Sequence, residues 1–234
     1  MSPTYSIQLD RSLVDSRPVV ALIWANEIDP PSATTATPAF LRELLVEVMS
    51  TGESFVPEEV RRRVRLLLRH GKYRPSGRGK PASEFLLRAA LGDTFPLING
   101  PVDVNNAISL RSGLPGSLFD ADLTGPELLV RRGRVGEAYV FNPSGQTIDL
   151  EDLLLVCRRT ADGWEPCGNP VKDSMATKIG ETTRSILAVL YAPADEPEDA
   201  VAGWAERYAE LLATHCGAAE SGFEVTSEVA RGSD

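Results

Sequence analysis

Apolar residues recur every three or four positions in the first third of the chain and near its end, whereas between residues 127 and 192 they gather into short dense runs. The first pattern is that of helices buried along one side, the second that of strands. "PVVALIWANEI", residues 18–28, is a continuous apolar run too short for a helix and reads as a buried strand. Thr37 and Pro38 have the chemistry of an N-cap and first helical residue, and predict a helix through "AFLRELLVEVM" that buries Phe40, Leu44, Leu45 and Val48. Pro57 with Glu58 and Glu59 opens a second helix, with Val60, Val64, Leu67 and Leu68 inward, arginines outward and Gly71 as its stop. "ASEFLLRAAL" predicts a third, closed by Gly92.

A fourth, short helix follows the turn at 99–101, with Asp103 in its first turn and Val104 and Ile108 on one face, and Gly113 and Pro115 end it. "ELLVRR", "EAYVF", "DLLLVCRR" and "SILAVLYA" are β-like runs separated by "GRVGE", "NPSGQT" and "TADGWEPCGNPVKDS", which predicts an antiparallel or mixed sheet layer. "PEDAVAGWAERYAELLATH" is an amphipathic helix with Val201, Trp204, Tyr208, Leu211 and Leu212 inward, and the small, acidic tail after Cys216 is expected to fray.

A hydrophobic fraction of 42% over 234 residues supports one large domain or two small ones. No stretch reaches the roughly eighteen apolar residues of a membrane span, and the first residues lack a basic start and apolar block. Three cysteines, Cys157, Cys167 and Cys216, are an odd number without an export signal, so reduced thiols and a cytoplasmic location are expected. The net charge of −9 opposes indiscriminate nucleic-acid binding. Yet residues 61–88 carry ten Lys or Arg against Glu84 alone, and from Ala192 onward ten acids face only Arg207 and Arg231. Two solvated faces of opposite sign account for this first, since charge runs usually mark only a wet surface, and a local anionic partner is the alternative. Were that partner RNA, Arg61, Arg62, Arg65, Arg74, Arg78 and Lys80 are the phosphate-binding candidates.

Familiar chemistries fit poorly. "KYRPSGRGKPASEF" lacks the phosphate-loop spacing and places Pro81 after Lys80. No cysteine or histidine pair has structural zinc spacing, and neither a metal nor a cofactor is expected. His70 and His215 both lie in helix-like segments, which disfavours an ordinary Ser-His triad.

"VDVNNAISLRSGLPGSLFDADL", with Val102, Asp103, Val104, Asn106, Gly113, Pro115, Phe119 and Asp120, resembles the central motif of the B3/B4 domain of bacterial phenylalanyl-tRNA synthetase β subunits. That motif reads V-D-V-T-N-Y followed by G-Q-P-L-H-A-F-D at the same spacing. The likeness runs over residues 75–193 and resumes in "LLVRRGRVGEAYVF", "DLLLVC" and the threonine-containing "ETTRSILAVLYAP". The whole chain is similar to freestanding B3/B4 proteins, without an aminoacylation module.

The resemblance implies an α+β fold of layered sheets covered by helices. Residues 75–193 would form its core, 1–74 a strand and two helices packed on it, 194–216 a C-terminal helix and 217–234 the tail. It implies an aminoacyl-tRNA editing site, which in the synthetases hydrolyses tyrosine wrongly esterified to the tRNA for phenylalanine. Asn106 falls on the site asparagine, and Ser117 falls where the family has histidine. "CGNPVKDSMATK" replaces a Gly-Gly turn, and Ala188 or Val189 replaces an acid. Serine donates a hydrogen bond but is no base at neutral pH. Asn106 and Ser117 are therefore the catalytic candidates. Asn169, Lys172, Asp173, Thr177, Lys178 and Thr182 join them as substrate-binding candidates, bordering one concave pocket. The expected partner is aminoacylated tRNA or an amino-acid-like small molecule, and the rival reading is a non-catalytic module for such a molecule or for a protein.

Overall fold

Strand pairing begins from the run at residues 18–28, which is apolar on both sides and is therefore covered on both sides. The computed structural model describes residues 4–230, and in it this run is β2 (Val19–Asn26). The remaining strands are β1 (Ser6–Leu9), β3 (Gly116–Asp120), β4 (Glu127–Arg132), β5 (Ala138–Val140), β6 (Thr147–Asp149), β7 (Leu154–Thr160), β8 (Gly163–Gly168), β9 (Ile186–Ala192) and β10 (Glu220–Thr226). The α-helices are α1 (Ala39–Thr51), α2 (Glu58–Leu68), α3 (Ala82–Leu91), α4 (Gly100–Ser112), the single turn α5 (Ala121–Thr124) and α6 (Glu198–Cys216).

One sheet has the order β10-β2-β9-β3 and is antiparallel throughout; a second has the order β1-β4-β7-β8, with only β1 and β4 parallel; β5 and β6 form a separate ribbon. Alternation sorts the first sheet's side chains. Ala21, Ile23, Ala188, Leu190 and Leu118 face Val104 and Ile108 of α4 and Tyr208 and Leu212 of α6. Val20, Leu22, Leu187, Val189, Tyr191 and Phe119 face Val130, Leu154 and Val156 of the second sheet. The layers are thus helices, sheet and sheet. The α+β layering expected from the sequence is present.

Four expectations change. Thr37 is no cap: Pro38 occupies the N-cap position of α1 without a side-chain bond, and the Thr37 carbonyl accepts from Arg42 instead. β8 lies inside the stretch read as a connecting loop, where Gly163, at φ 123°, closes the hairpin from β7. The segment after Cys216 does not fray through its first part, because β10 pairs with β2 from Glu220↔Asn26 to Thr226↔Val20 while Phe223 and Val225 pack on the core. Two apolar residues in an acidic stretch satisfy a strand, whose period is two, without raising the local hydropathy. Residues 231–234 of the expected tail lie outside the described residues. Finally, residues 1–74 do not pack as an addition on a finished core, since β2 runs between β10 and β9 within the first sheet.

Candidate functional site

The turn from α4 into β3 is built by local chemistry. The side chain of Asn99 accepts the Val102 N–H at 3.1 Å, capping α4, and Pro101 occupies its first turn, where no N–H partner is needed. Asp103 is buried and accepts the Ile98 N–H at 2.8 Å and the Thr34 hydroxyl, while burial raises its pKa. Gly113 closes the helix at φ 75°, and a Cβ there would lie 2.6 Å from Val56. After Pro115 the chain enters β3, and Asp120 caps α5 through the Asp122 N–H at 2.9 Å and accepts the Thr183 hydroxyl at 2.5 Å. Both acids of the motif thus hold the backbone in place.

Between α4, β3 and residues 169–179 lies a cleft of about 210 Å³, whose wall includes Asn106, Gly116, Leu118, Asn169, Lys172, Asp173 and Lys178. Asn106 is half-buried. Its neighbour Asn105 turns inward, where its Oδ1 accepts the buried Tyr208 hydroxyl at 3.0 Å. Gly116 leaves room for that side chain, for a Cβ there would lie 2.6 Å from Asn105 Oδ1.

Ser117 does not border the cleft. Gly116 and Leu118 face it, so Ser117 faces the space between the sheets, where its fully buried hydroxyl lies 2.8 Å from that of Tyr191 and 3.4 Å from the Asn169 carbonyl oxygen. Residues 116–120 form a strand, and strand parity decides the side. Thr177 is also buried, with its hydroxyl 3.5 Å from the Cys167 carbonyl, and Thr182 is exposed away from the cleft, leaving the buried role to Thr183. Ser117→Ala is expected to cost about 1–3 kcal/mol of stability, because the Tyr191 hydroxyl loses its partner in a dry layer. Denaturant unfolding checks this, and a Tyr191→Phe, Ser117→Ala double variant should recover part of the loss.

Asn169 lines the cleft but is occupied. Its Oδ1 accepts from Val171 N at 2.8 Å and Lys172 N at 2.9 Å, and its Nδ2 donates to Tyr139 Oη at 2.5 Å, whose hydroxyl donates to the Lys172 carbonyl at 2.6 Å. It shapes the loop. The Lys172 ammonium lies 3.8 Å from the centre of the Phe141 ring. Tyr139 is the residue that sequence reasoning missed, since nothing in "EAYVF" marks it as a loop anchor.

Asp173 is the titratable centre. Its Oδ2 accepts the Leu118 N–H at 3.0 Å and its Oδ1 the Asn169 N–H at 3.3 Å. Desolvation pushes its pKa up to about 6, against the lowering effect of Ser117, those two N–H groups and the Lys178 charge. A carboxylate offers about four lone-pair sites, so it retains capacity for a water or an ammonium group. Neither histidine lines the cleft: His215 packs on Phe40 with ring centres 4.4 Å apart, and His70 bridges to Tyr73. All three cysteines are buried, and burial pushes the Cys157 and Cys216 thiols up to about 12, so none is a ready nucleophile. Among the described residues, no three His, Cys, Asp or Glu side chains converge as a metal site.

Five of the segment's ten cations are answered by acids from their own or other elements. Arg62 pairs with Glu59, Arg65 with Glu84, Arg63 with Glu196 at 2.6 Å and Lys72 with Glu151, while Lys80 lies 3.9 Å from Glu84. Arg74 donates to the carbonyls of Gly71 at 2.7 Å and Tyr73 at 2.9 Å. Arg61, Arg62 and Arg65 border a shallow hollow on α2 with Arg69, and Arg78 lies elsewhere, on a second cleft beside α3. The six candidates therefore do not form one phosphate-tracking stripe.

A family model described as the B3/4 domain matches residues 78–196, a span that contains every cleft residue named above. Among solved structures, the chain is similar to an N-terminal fragment of the phenylalanyl-tRNA synthetase β-subunit from Pyrococcus horikoshii. That likeness has a TM-score of 0.46 and 11% identity over 95% of this chain and 52% of the other, so the chain spans about half the length of that structure. A comparison with curated proteins gives no match. No helix among the described residues is long and apolar enough to cross a membrane.

Proposed function

The chain belongs to the B3/4 domain family, and from that premise we propose that it binds the aminoacyl group of an acylated RNA end in the α4–β3 cleft, in the cytoplasm, and hydrolyses its ester. The observation that supports this reading is the convergence of an amide (Asn106), a carboxylate (Asp173) and an ammonium group (Lys178) on one small cleft. Those groups supply what ester hydrolysis needs: a base for water and donors for the developing oxyanion. Asp173 takes a proton from the attacking water, whose oxygen bonds to the ester carbonyl carbon. Asn106 Nδ2 and Lys178 Nζ donate to the oxyanion. When the tetrahedral intermediate collapses, the carbon–oxygen bond to the ribose breaks, and the departing oxygen takes the proton held by Asp173. Ser117 contributes from beneath, by orienting the Asp173 carboxylate.

A purely binding role is the second reading, favoured by the two backbone N–H groups that already occupy Asp173. Single-turnover hydrolysis of a panel of mischarged tRNAs separates the two. The parent should exceed the buffer rate on at least one substrate, and Asn106→Ala should lower that rate by about 10²-fold, as loss of an oxyanion donor does. A parent no faster than buffer on every substrate overturns hydrolysis and leaves binding to be measured directly.

A further inference from the structure

The two four-stranded sheets differ in how their outer edges are covered. At β3 the Leu118 N–H goes to Asp173, at β8 the Cys167 carbonyl accepts the Ser174 N–H at 2.9 Å, and at β1 Leu9 bridges Val229 and accepts the Ala230 N–H at 2.8 Å. The outer edge of β10 has no such cover: among the described residues its backbone bonds only to β2. The strand is seven residues long, contains no proline, and every one of its side chains is half-buried or exposed. An edge of this kind is a template for a further strand. Its chemistry limits what that strand is. Phe223 and Val225 turn toward the helices, whereas Glu220, Gly222, Glu224 and Thr226 share the opposite side, where Gly222 pairs with Trp24 of β2. The Trp24 indole reaches across that glycine, for a Cβ there would lie 2.6 Å from its Cζ2 and 2.8 Å from its Cε2. Tyr5 packs against the indole with ring centres 6.2 Å apart, and the indole stays half-buried. An aromatic surface thus lies at the edge, between two glutamates. Asn26 donates to Glu220 at 3.4 Å, while Glu224 and Glu228 are exposed and pair with no cation among the described residues. Arg207, the nearest basic residue in sequence, is engaged by Glu210.

We infer that the β10 edge takes an extended, basic segment of a partner protein as a fifth strand of its sheet, with a Lys or Arg opposite Gly222 seated on the Trp24 indole between Glu220 and Glu224. A residue directly opposite Gly222 has both glutamates as diagonal neighbours, roughly 7–8 Å away and within reach of a long side chain. Of the aromatic rings an indole attracts a cation best, and the carboxylates add to that attraction. Main-chain bonds to β10 supply the affinity, and this one position supplies the preference for a basic residue. A second copy of the chain fits worse. Pairing β10 with itself would gather the glutamates of both strands, on chains that each carry a net charge of −9. The inference stands apart from the cleft, since no β10 residue lines it.

The test is fluorescence-anisotropy binding, to the full chain, of a labelled short peptide in which threonine and valine alternate around a central arginine. Forms with threonine or glutamate at the centre are the charge controls, and two further arginine forms carry N-methyl groups on one or the other alternate set of amides. The arginine peptide should bind at least about threefold more tightly than the threonine form and about tenfold more tightly than the glutamate form. One N-methylated form should lose about tenfold while the other stays within about threefold, because alternate amides of an added strand face β10 and the rest face solvent. Glu224→Lys, a change at an exposed side chain, should remove the preference for arginine over glutamate. The β10 amides should gain hydrogen-exchange protection when the peptide is bound. Equal losses in the two N-methylated forms overturn strand addition, and equal affinity for the arginine and glutamate peptides overturns the basic subsite. A parent that sediments as a dimer with its β10 amides already protected overturns the foreign partner in favour of a second copy. Absence of binding by every peptide at millimolar concentration overturns the inference as a whole.

Discussion

Asp173→Asn should lower single-turnover ester hydrolysis by about 10²- to 10⁴-fold, the usual contribution of a positioned general base, and should flatten its pH profile. The parent's rate should climb as pH rises through about 6, where the half-buried Asp173 carboxyl ionises, and level off above it. Asparagine keeps only one acceptor oxygen, so one of the Leu118 and Asn169 N–H groups would face its Nδ2 and lose its partner, a loss that is the same at every pH. A rate independent of pH between 5 and 7 in the parent would remove Asp173 from the role of base.

The same shift has a stability signature. Folding raises the Asp173 pKa from its ordinary 3.8 to about 6, so the fold favours the neutral carboxyl. That contribution is present in full below the ordinary value and is lost as pH rises through about 6. The asparagine variant, which never ionises, should therefore improve relative to the parent between pH 4 and pH 7. Denaturant midpoints of both proteins across that window report it.

Gly168→Ala should cost stability at the upper end of the 1–3 kcal/mol typical of overpacking, or about that much again, and should slow hydrolysis as well. A Cβ at Gly168 would lie 2.5 Å from Cε1 and Cζ of Phe119 and 2.7 Å from Asp173 Oδ1. Phe119 is fully buried among Leu154, Val156, Leu187 and Val189, so its ring has nowhere to retreat. The strain therefore falls on Asp173, which would be pushed out of line with the Leu118 N–H. Gly180→Ala is the control, with open space around a Cβ and an expected change within about 0.5 kcal/mol. Thermal or denaturant unfolding of both variants checks the pair, and equal stabilities would mean that the Phe119 layer yields more readily than its packing implies.

Local chemistry determined much of this protein from its sequence. Gly113 marks the end of α4 because a left-handed residue acts within a few positions of itself, whereas the start is placed late, since residues 99–101 read as a turn before a short helix while Asn99 caps a helix of 13 residues. Asn106 stands out by its place in the family motif. The apolar run at β2 and the runs at β4, β7 and β9 were legible for the same reason: burial on both faces leaves a mark in composition. The family motif carried the α+β layering, and its two acids are spent on holding backbone rather than on chemistry.

Tertiary structure decided the rest, and in each case the reason is distance along the chain. Ser117 lies under the cleft because β3 pairs with β9, placing Ser117 opposite Val189 and turning alternate residues to alternate layers; one step of register would have reversed it. Asp173 became the titratable centre only when the fold half-buried it in the cleft wall against Leu118, far away in sequence, which raises its pKa by desolvation. Part of the basic run's surplus charge is answered by Glu196 and Glu151, partners that no local window contains. β10 is a strand because β2 offers it an edge, a hydrogen-bonding opportunity that composition does not record.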